Sequence, residues 1–392
     1  MKECSESALC SVAILNQGYN EQRNIASTEQ FGVELIRGHD RIHILRKFWH
    51  RVSGKSYSKL LHSVSWPVGT GETIIHTFNG IVIPKVPWVV SFETTLPRES
   101  SLPDFLVRKA WRKLAAPNCL GILALSESAR ARFDADLTGN RAGISDGEIL
   151  RIQAKLEVLH PPQEPLLSLE DKMNGLGFDG PLKLALVGHD FYRKGGLELL
   201  IALDSLLEKG REIELNIAGR MRAGDYASRA GVDEEEQARK IIARHPRQIR
   251  MLGSLSGSEV LNLFKASHIV CLPTWGETYG YSVLEGQASG CAAITTDLRA
   301  LPEINSPHCG WVIPVPKLPN GDGDLNSVEK RLEFRRVLVS GLEKSLSDAN
   351  DDRRGLMAKA QASLERIRKY HDPSHHSKRR MDIYQGSHAC TH

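Results

Sequence analysis

The chain has no apolar run of about 18 residues, so no membrane-spanning helix is predicted. Net charge is low, +4 over 392 residues, and nothing calls for a nucleic-acid partner. Cysteines are few: seven, an odd number, scattered and without metal-ligand spacing. Cys10, Cys119, Cys271 and Cys291 lie in apolar strand-like or helix-end settings, where buried thiols are expected rather than a disulfide framework. His375, His376, Cys390 and His392 cluster near the end of the sequence and are read as solvated, not as a metal site. The opening MKECSESALCSVAILNQ lacks the cationic start and apolar stretch of a secretory signal, so the expectation is a cytoplasmic protein. Neither internal repeats nor low-complexity segments are present.

What is present is a globular composition, 41% hydrophobic and 25% charged. A chain of 392 residues is too long for one ordinary core, which favours two domains. Short apolar strands are predicted at Ser11–Leu15, Arg41–Leu45, Thr73–His76, Trp88–Phe92, Gly121–Leu125 and Leu156–Leu159, with a helix over Asp104–Ala115. Pro161 to Gly180 is loop-like (PPQEP, then NGLGFDG), and the domain boundary is placed in it. The alternation then restarts. Strands are predicted at Leu182–Val187, Glu212–Ala218, Ile249–Leu252, His268–Pro273 and Cys291–Thr296. Helices are predicted at Gly196–Glu208, Glu234–Arg244, Ser256–Ala266, Tyr281–Ser289, Glu329–Leu346 and Arg353–Lys369. Such alternation predicts an α/β fold, a parallel sheet wrapped on both faces, twice over. The expected domains are residues 1–177, 178–365, and a helix and tail over 366–392.

The densest motif is LPTWGETYGYSVLEGQASGCAAITT, in which Glu277 and Glu285 stand eight positions apart. Glu277 falls just before a predicted helix and Glu285 about one turn inside it. The backbone N–H groups of Thr278, Tyr279, Gly280 and Tyr281 are placed at the helix start, an end that attracts anions, above all phosphate. A carboxylate beside a phosphate cradle suits a ligand with both hydroxyls and phosphates, as a nucleotide sugar has. The plain alternative is two solvated surface glutamates. A second element, KLALVGHDFYRKGGLELLIAL, ends a strand at Val187–Gly188 and opens a helix after Arg193-Lys194-Gly195-Gly196, at the strand end where ligands bind in such sheets.

The Glu-x7-Glu run resembles the signature of glycosyltransferase family 4, the GT-B enzymes of glycosyl transferases group 1. The likeness takes in Pro273, Tyr279-Gly280, Ala288-Ser289-Gly290 and the stretch from Thr296 to Glu303. The resemblance implies two Rossmann-like domains facing a cleft, with a last helix, HHSKRRMDIYQ, crossing back to the first domain. It implies retaining transfer of a sugar from a nucleotide-diphosphate sugar to an acceptor hydroxyl, with no metal and no other cofactor. In that comparison Lys194 falls on the lysine at the donor diphosphate. His189 replaces the arginine that follows Gly188, and Arg193 is a candidate to supply the missing charge. Glu277 resembles the residue that holds the sugar, and Glu285 the one that binds ribose hydroxyls. Met251 and Leu252 offer backbone groups to the base. Cations there make physical sense, because charge develops on the departing diphosphate. Asp134-Ala-Asp136 and Asp322-Gly-Asp324 are rejected as metal sites, since neither lies at a strand end.

The first domain is short and divergent. NQGYNEQRN is only loosely similar to the family's Gly-rich loop, and in PWVVSFETTLPRES Glu93 stands where the family has histidine. Glu93 either acts on an acceptor hydroxyl or pairs with Arg98; His76 is either catalytic or a core residue. Phe105–Ala116 (FLVRKAWRKLAA) either packs its apolar side on the sheet or touches anionic lipid at the inner membrane face, as a lipid-linked acceptor would favour over a glycan or small molecule. Other readings of the whole chain are an epimerase or phosphorylase of the same fold, or a non-catalytic sugar-nucleotide-binding protein.

Overall fold

The computed structural model describes residues 10–15, 18–26, 33–55, 58–69, 73–98, 101–177 and 180–386. Cys4, Cys390, His392 and part of the NQGYNEQRN loop lie outside the described residues. The chain divides into two units: one runs to Pro162 and resumes at His371, the other is Gln163–Tyr370.

The first unit holds strands β1 (Cys10–Ile14), β2 (Val33–Arg37), β3 (Ile74–Phe78), β4 (Trp88–Phe92), β5 (Cys119–Ala124) and β6 (Leu156–Val158). They form one sheet in the order β6-β5-β4-β3-β1-β2, parallel at every pairing. Both faces of such a sheet are covered, so its central strands are continuous apolar runs. Trp88, Val90 and Phe92 point to one side, where they meet Trp111, Phe133 and Leu137. Val12, Val89 and Leu123 point to the other and meet Ile383 and Tyr384 of the last helix, Pro373–Tyr384. That helix belongs to the first unit, as expected.

The second unit holds β7 (Leu182–Asp190), β8 (Ile213–Arg220), β9 (Ile249–Gly253), β10 (Ile269–Leu272), β11 (Ala292–Thr296) and β12 (Gly310–Ile313). Their order is β9-β8-β7-β10-β11-β12, again all parallel. The order reverses between β7 and β10. There the crossovers leave to opposite faces and a crevice opens at the carboxyl ends of the strands.

Several expectations need correction. Arg41–Leu45 is not a strand but the start of helix α1 (Arg41–Ser53), because the Asp40 carboxylate caps it by accepting from the Ile42 N–H and Gly54 ends it in the left-handed region. The strand β2 went unforeseen. The stretch from Pro161 to Gly180 is not all loop: Leu169–Leu176 is a helix with a Ser168–Asp171 capping box. Its Lys172 donates to the carbonyls of Phe264 and Ser289, which ties this segment to the second unit. The division therefore falls at Pro162, ahead of the boundary at 177. At the far end it falls at His371 rather than 366, because Arg353–Tyr370 is one unbroken helix.

Candidate active site

The two donor elements meet where the strand order reverses. β7 runs into the turn 191–195 and helix α2 (Gly196–Glu208), while β10 runs into the loop 273–280 and helix α3 (Tyr281–Ala288). The turn and the loop touch intimately. A side chain at Gly195, whose φ is +77°, would lie 1.8 Å from the Pro273 carbonyl oxygen, so only glycine fits. The Trp275 N–H and the Thr274 hydroxyl both donate to the Arg193 carbonyl at 2.9 Å. Thr274 is anchored in turn, its carbonyl accepting from the buried Thr296 hydroxyl at 3.0 Å. Helix α3 ends in a Schellman turn: Cys291 N–H donates to Gly286 and Gly290 N–H to Gln287.

This scaffold brings Lys194 and Glu277 together. The ammonium pairs with Glu277 Oε2, and Glu277 Oε1 accepts from the Thr278 N–H at 3.0 Å. The two side chains are only 14% and 13% exposed. Burial alone would raise the Glu277 carboxyl, but Lys194, the Thr278 N–H and Arg193 outweigh it and hold the group below its ordinary value. The aliphatic stem of Lys194 lies across Gly188, where an added Cβ would sit 3.1 Å from its Cγ. The arrangement is a fixed cation and a fixed carboxylate, side by side at the carboxyl edge of the sheet.

The other candidates fall into place around this pair. Arg193 does not present a free cation. Its guanidinium donates to Asp190 Oδ2 at 2.6 and 3.1 Å and to the Gly276 carbonyl at 2.6 Å, which clamps the Glu277 loop. His189 is exposed at the end of β7. Tyr279 is buried, and its ring lies 5.2 Å from that of Tyr281. Gly280 opens α3, and Glu285 is half-buried within it. Met251 and Leu252 are not core: at the end of edge strand β9 they are 36% and 39% exposed, and the register with β8 shifts beside them. A cavity of about 140 Å³ adjoins Glu277, lined also by Tyr226, Trp275, Arg299 and Asp322.

Residues the sequence analysis passed over hold this loop from behind. Trp275 stacks on Phe334 at 4.5 Å, and the Arg335 guanidinium lies 5.8 Å from the Trp275 ring. Arg335 also bonds the buried Glu198 at 3.0 Å and Glu234 at 3.2 Å. Only Asp190, three positions before Arg193, left a local signal of its role.

The acids of the two Asp-x-Asp sequences have protein partners. Asp322 pairs with Arg299 and Asp324 with Lys330, while Asp134 accepts from Gln153 and Asp136 from Thr95. Among the described residues, no three His, Cys, Asp or Glu side chains gather into a metal-sized group.

In the first unit, His76 is wholly buried. Its ring nitrogens lie 2.6 Å from the Tyr384 hydroxyl and 2.9 Å from the Ser91 hydroxyl, the surroundings of a core histidine. Glu93 pairs with Arg98 at 3.0 Å, the structural alternative of its two readings. The helix Asp104–Ala115 buries Val107, Trp111 and Leu114 against the sheet. Arg108 donates to Ala142, Lys113 to Ile83, and Arg112 pairs with Glu148, so these cations are spent within the protein.

Residues 170–329 match the family described as glycosyl transferases group 1. The chain is 27% identical over 233 residues to the phosphatidyl-myo-inositol mannosyltransferase of Mycolicibacterium smegmatis, covering 58% of this chain and 52% of that protein. The chain thus spans about half the length of the curated relatives it matches. A glycosyltransferase structure from Rickettsia africae superposes with a TM-score of 0.57 at 13% identity, covering 97% of this chain and 99% of that one. The Anabaena protein HepE, solved with UDP and glucose, gives 0.56 at 11% identity over 96% and 99%. By fold the chain is a GT-B protein. Over residues 170–329 it is similar to the glycosyl transferases group 1 family.

Proposed function

We propose that the protein transfers a sugar from a nucleoside-diphosphate sugar to an acceptor hydroxyl, with retention at the anomeric carbon and without a metal at the diphosphate. The observation that carries this reading is the largely buried Lys194–Glu277 pair at the point where the strand order of the second unit reverses. As the bond from the anomeric carbon to the phosphate oxygen breaks, negative charge builds on the diphosphate. Lys194, held beside Glu277, is the cation that meets that charge, and a cation already in the site needs little reorganisation when the charge appears. The helix start at Thr278–Tyr281 adds backbone dipole of the same sign, and His189 is a second donor. Glu277 accepts from sugar hydroxyls and Glu285 from ribose hydroxyls, while the backbone at Met251 and Leu252 meets the base. The acceptor hydroxyl attacks from the face the nucleotide leaves, and its proton passes to the departing phosphate oxygen. Arg193 acts through the loop, as a positioning residue. HepE's complex with UDP and glucose supports a donor of this class, and the mannosyltransferase relative supports a hydroxylated acceptor that is lipid-linked or small.

The test is thermal unfolding against a panel of nucleoside diphosphates and their sugars. A ligand at about 100 times its Kd stabilises by about 2.7 kcal/mol, a rise of roughly 5–10 °C for a unit near 200 residues. Release of nucleoside diphosphate from the stabilising donor, faster with acceptor than without, is the expected turnover. If no nucleoside diphosphate shifts the transition, the reading is wrong.

A further inference from the structure

We propose that the outward face of α1 is a docking surface for an anionic lipid bilayer; the inference does not depend on the donor reading. The helix is held on one side only. Ile42 is its one buried residue, and Arg46 donates to the carbonyls of Leu61 and Val64 at 2.9 and 3.2 Å. Asp40 caps its start and Gly54 its end, so the helix is formed before any partner arrives. Much of its exposed side is apolar, with Arg41 standing one turn before Ile44 on the same face. Ile44, Leu45, Phe48, Trp49 and Val52 stand at i, i+1, i+4, i+5 and i+8, which is one face of a helix, and they are 39–69% exposed. Contiguous exposed apolar surface of this kind marks an interaction site.

The charge beside it names the partner. His43, Lys47, His50 and Arg51 form the adjoining exposed flank. From Arg41 to Gly71 the sequence carries six Lys or Arg residues and no Asp or Glu. A rigid helix with an apolar stripe bordered by cations matches the boundary between acyl chains and anionic headgroups. A second copy of this chain matches it poorly, because a two-fold contact would set one basic flank against the other. The basic helix Asp104–Ala115, by contrast, has its apolar side buried and Arg108, Arg112 and Lys113 engaged.

Flotation of the full chain with phosphatidylcholine vesicles, with and without phosphatidylglycerol, tests the assignment. Binding is expected on the anionic vesicles, at least roughly tenfold tighter than on phosphatidylcholine alone and weakened by salt. The triple variant Ile44→Ser, Phe48→Ser, Val52→Ser alters only exposed side chains, should keep its circular dichroism, and should lose at least roughly tenfold in binding. Each cation near the surface contributes about fivefold, so Lys47→Glu with Arg51→Glu should cost at least roughly twentyfold. Phe105→Ser should bind as the parent does. Equal binding to both vesicle types, or undiminished binding by the triple variant, overturns the proposal. Light scattering that shows a dimer abolished by the triple variant also overturns it and assigns the face to a second copy.

Discussion

Replacing Lys194 with Met separates what the Lys194–Glu277 pair does for the fold from what it does for chemistry. The substitution keeps the stem over Gly188 and removes the ammonium. It leaves the Glu277 carboxylate, 13% exposed, with the Thr278 N–H and the field of Arg193. Breaking a fully buried pair costs about 3–5 kcal/mol; the residual exposure here reduces that to about 1–3 kcal/mol. For a unit near 200 residues, this corresponds to a fall in Tm of roughly 3–10 °C. Glu277→Gln strands the ammonium instead and should cost a similar amount. The double variant strands neither charge, so its loss should be smaller than the sum of the singles by at least about 1 kcal/mol. Activity should not follow stability. Each single variant should lose turnover at least roughly tenfold, as expected when one charge-stabilising contact is removed, and the double should stay as slow as the slower single. The assays are urea unfolding and nucleoside-diphosphate release, run on all four proteins. If turnover recovers in the double variant along with stability, the pair is only a structural bridge and its role at the diphosphate is refuted. Additive stabilities would refute the pairing itself.

Two further perturbations probe the frame around the pair and the first unit. Gly195→Ala places a methyl group 1.8 Å from the Pro273 carbonyl oxygen at a φ of +77°; it should destabilise by more than about 2 kcal/mol, read from urea unfolding, and an unchanged midpoint would contradict the turn–loop contact. His76 and His376 are both buried and held well below the usual histidine value by burial, with like charge from Arg380 adding to it. The folded unit therefore stays neutral at these rings while the unfolded chain takes up protons below about pH 6.5. Stability should be flat above that value and fall by about 2 kcal/mol from pH 6 to pH 5, at up to about 1.4 kcal/mol per pH unit for each ring. A flat profile from pH 7 to 5, or an identical one in His376→Gln, would show that these rings do not titrate on unfolding.

What could be read from the sequence was local. Trp88–Phe92, Asp104–Ala115 and Gly196–Glu208 form over the residues expected, because each is a single apolar period bounded by Pro, Gly or a charged turn. RIHIL at Arg41–Leu45 fits a strand or the first turn of a helix equally well, and what decides it is the Asp40 cap. β2 carries Glu34 and Arg37, which break the apolar pattern, and it lies at the edge of its sheet, where polar residues are tolerated. The site divides in the same way. Glu277 and Lys194 each stood out by motif, but they lie 83 positions apart in sequence, and only the reversal of strand order explains their meeting. Arg193 was read by its charge alone, and the Asp190 that engages it was overlooked.

His76 shows where local reading fails for a physical reason. On the sequence it ends a predicted strand, where both a catalytic and a core histidine fit. Its partner is Tyr384, 308 positions away. The sheet of the first unit needs cover on both faces. On the face of Val12, Val89 and Leu123, Ile383 and Tyr384 of the last helix supply apolar cover. The same helix brings the buried Arg380, which donates to the Ile25 carbonyl, and Arg379, which pairs with Glu157 of β6 at 2.6 Å. The helix therefore joins the core of the first unit through both apolar and charged contacts. A histidine beneath such a helix has to be neutral and bonded on both nitrogens, since burial without partners is costly. That requirement accounts for His76 as part of the core.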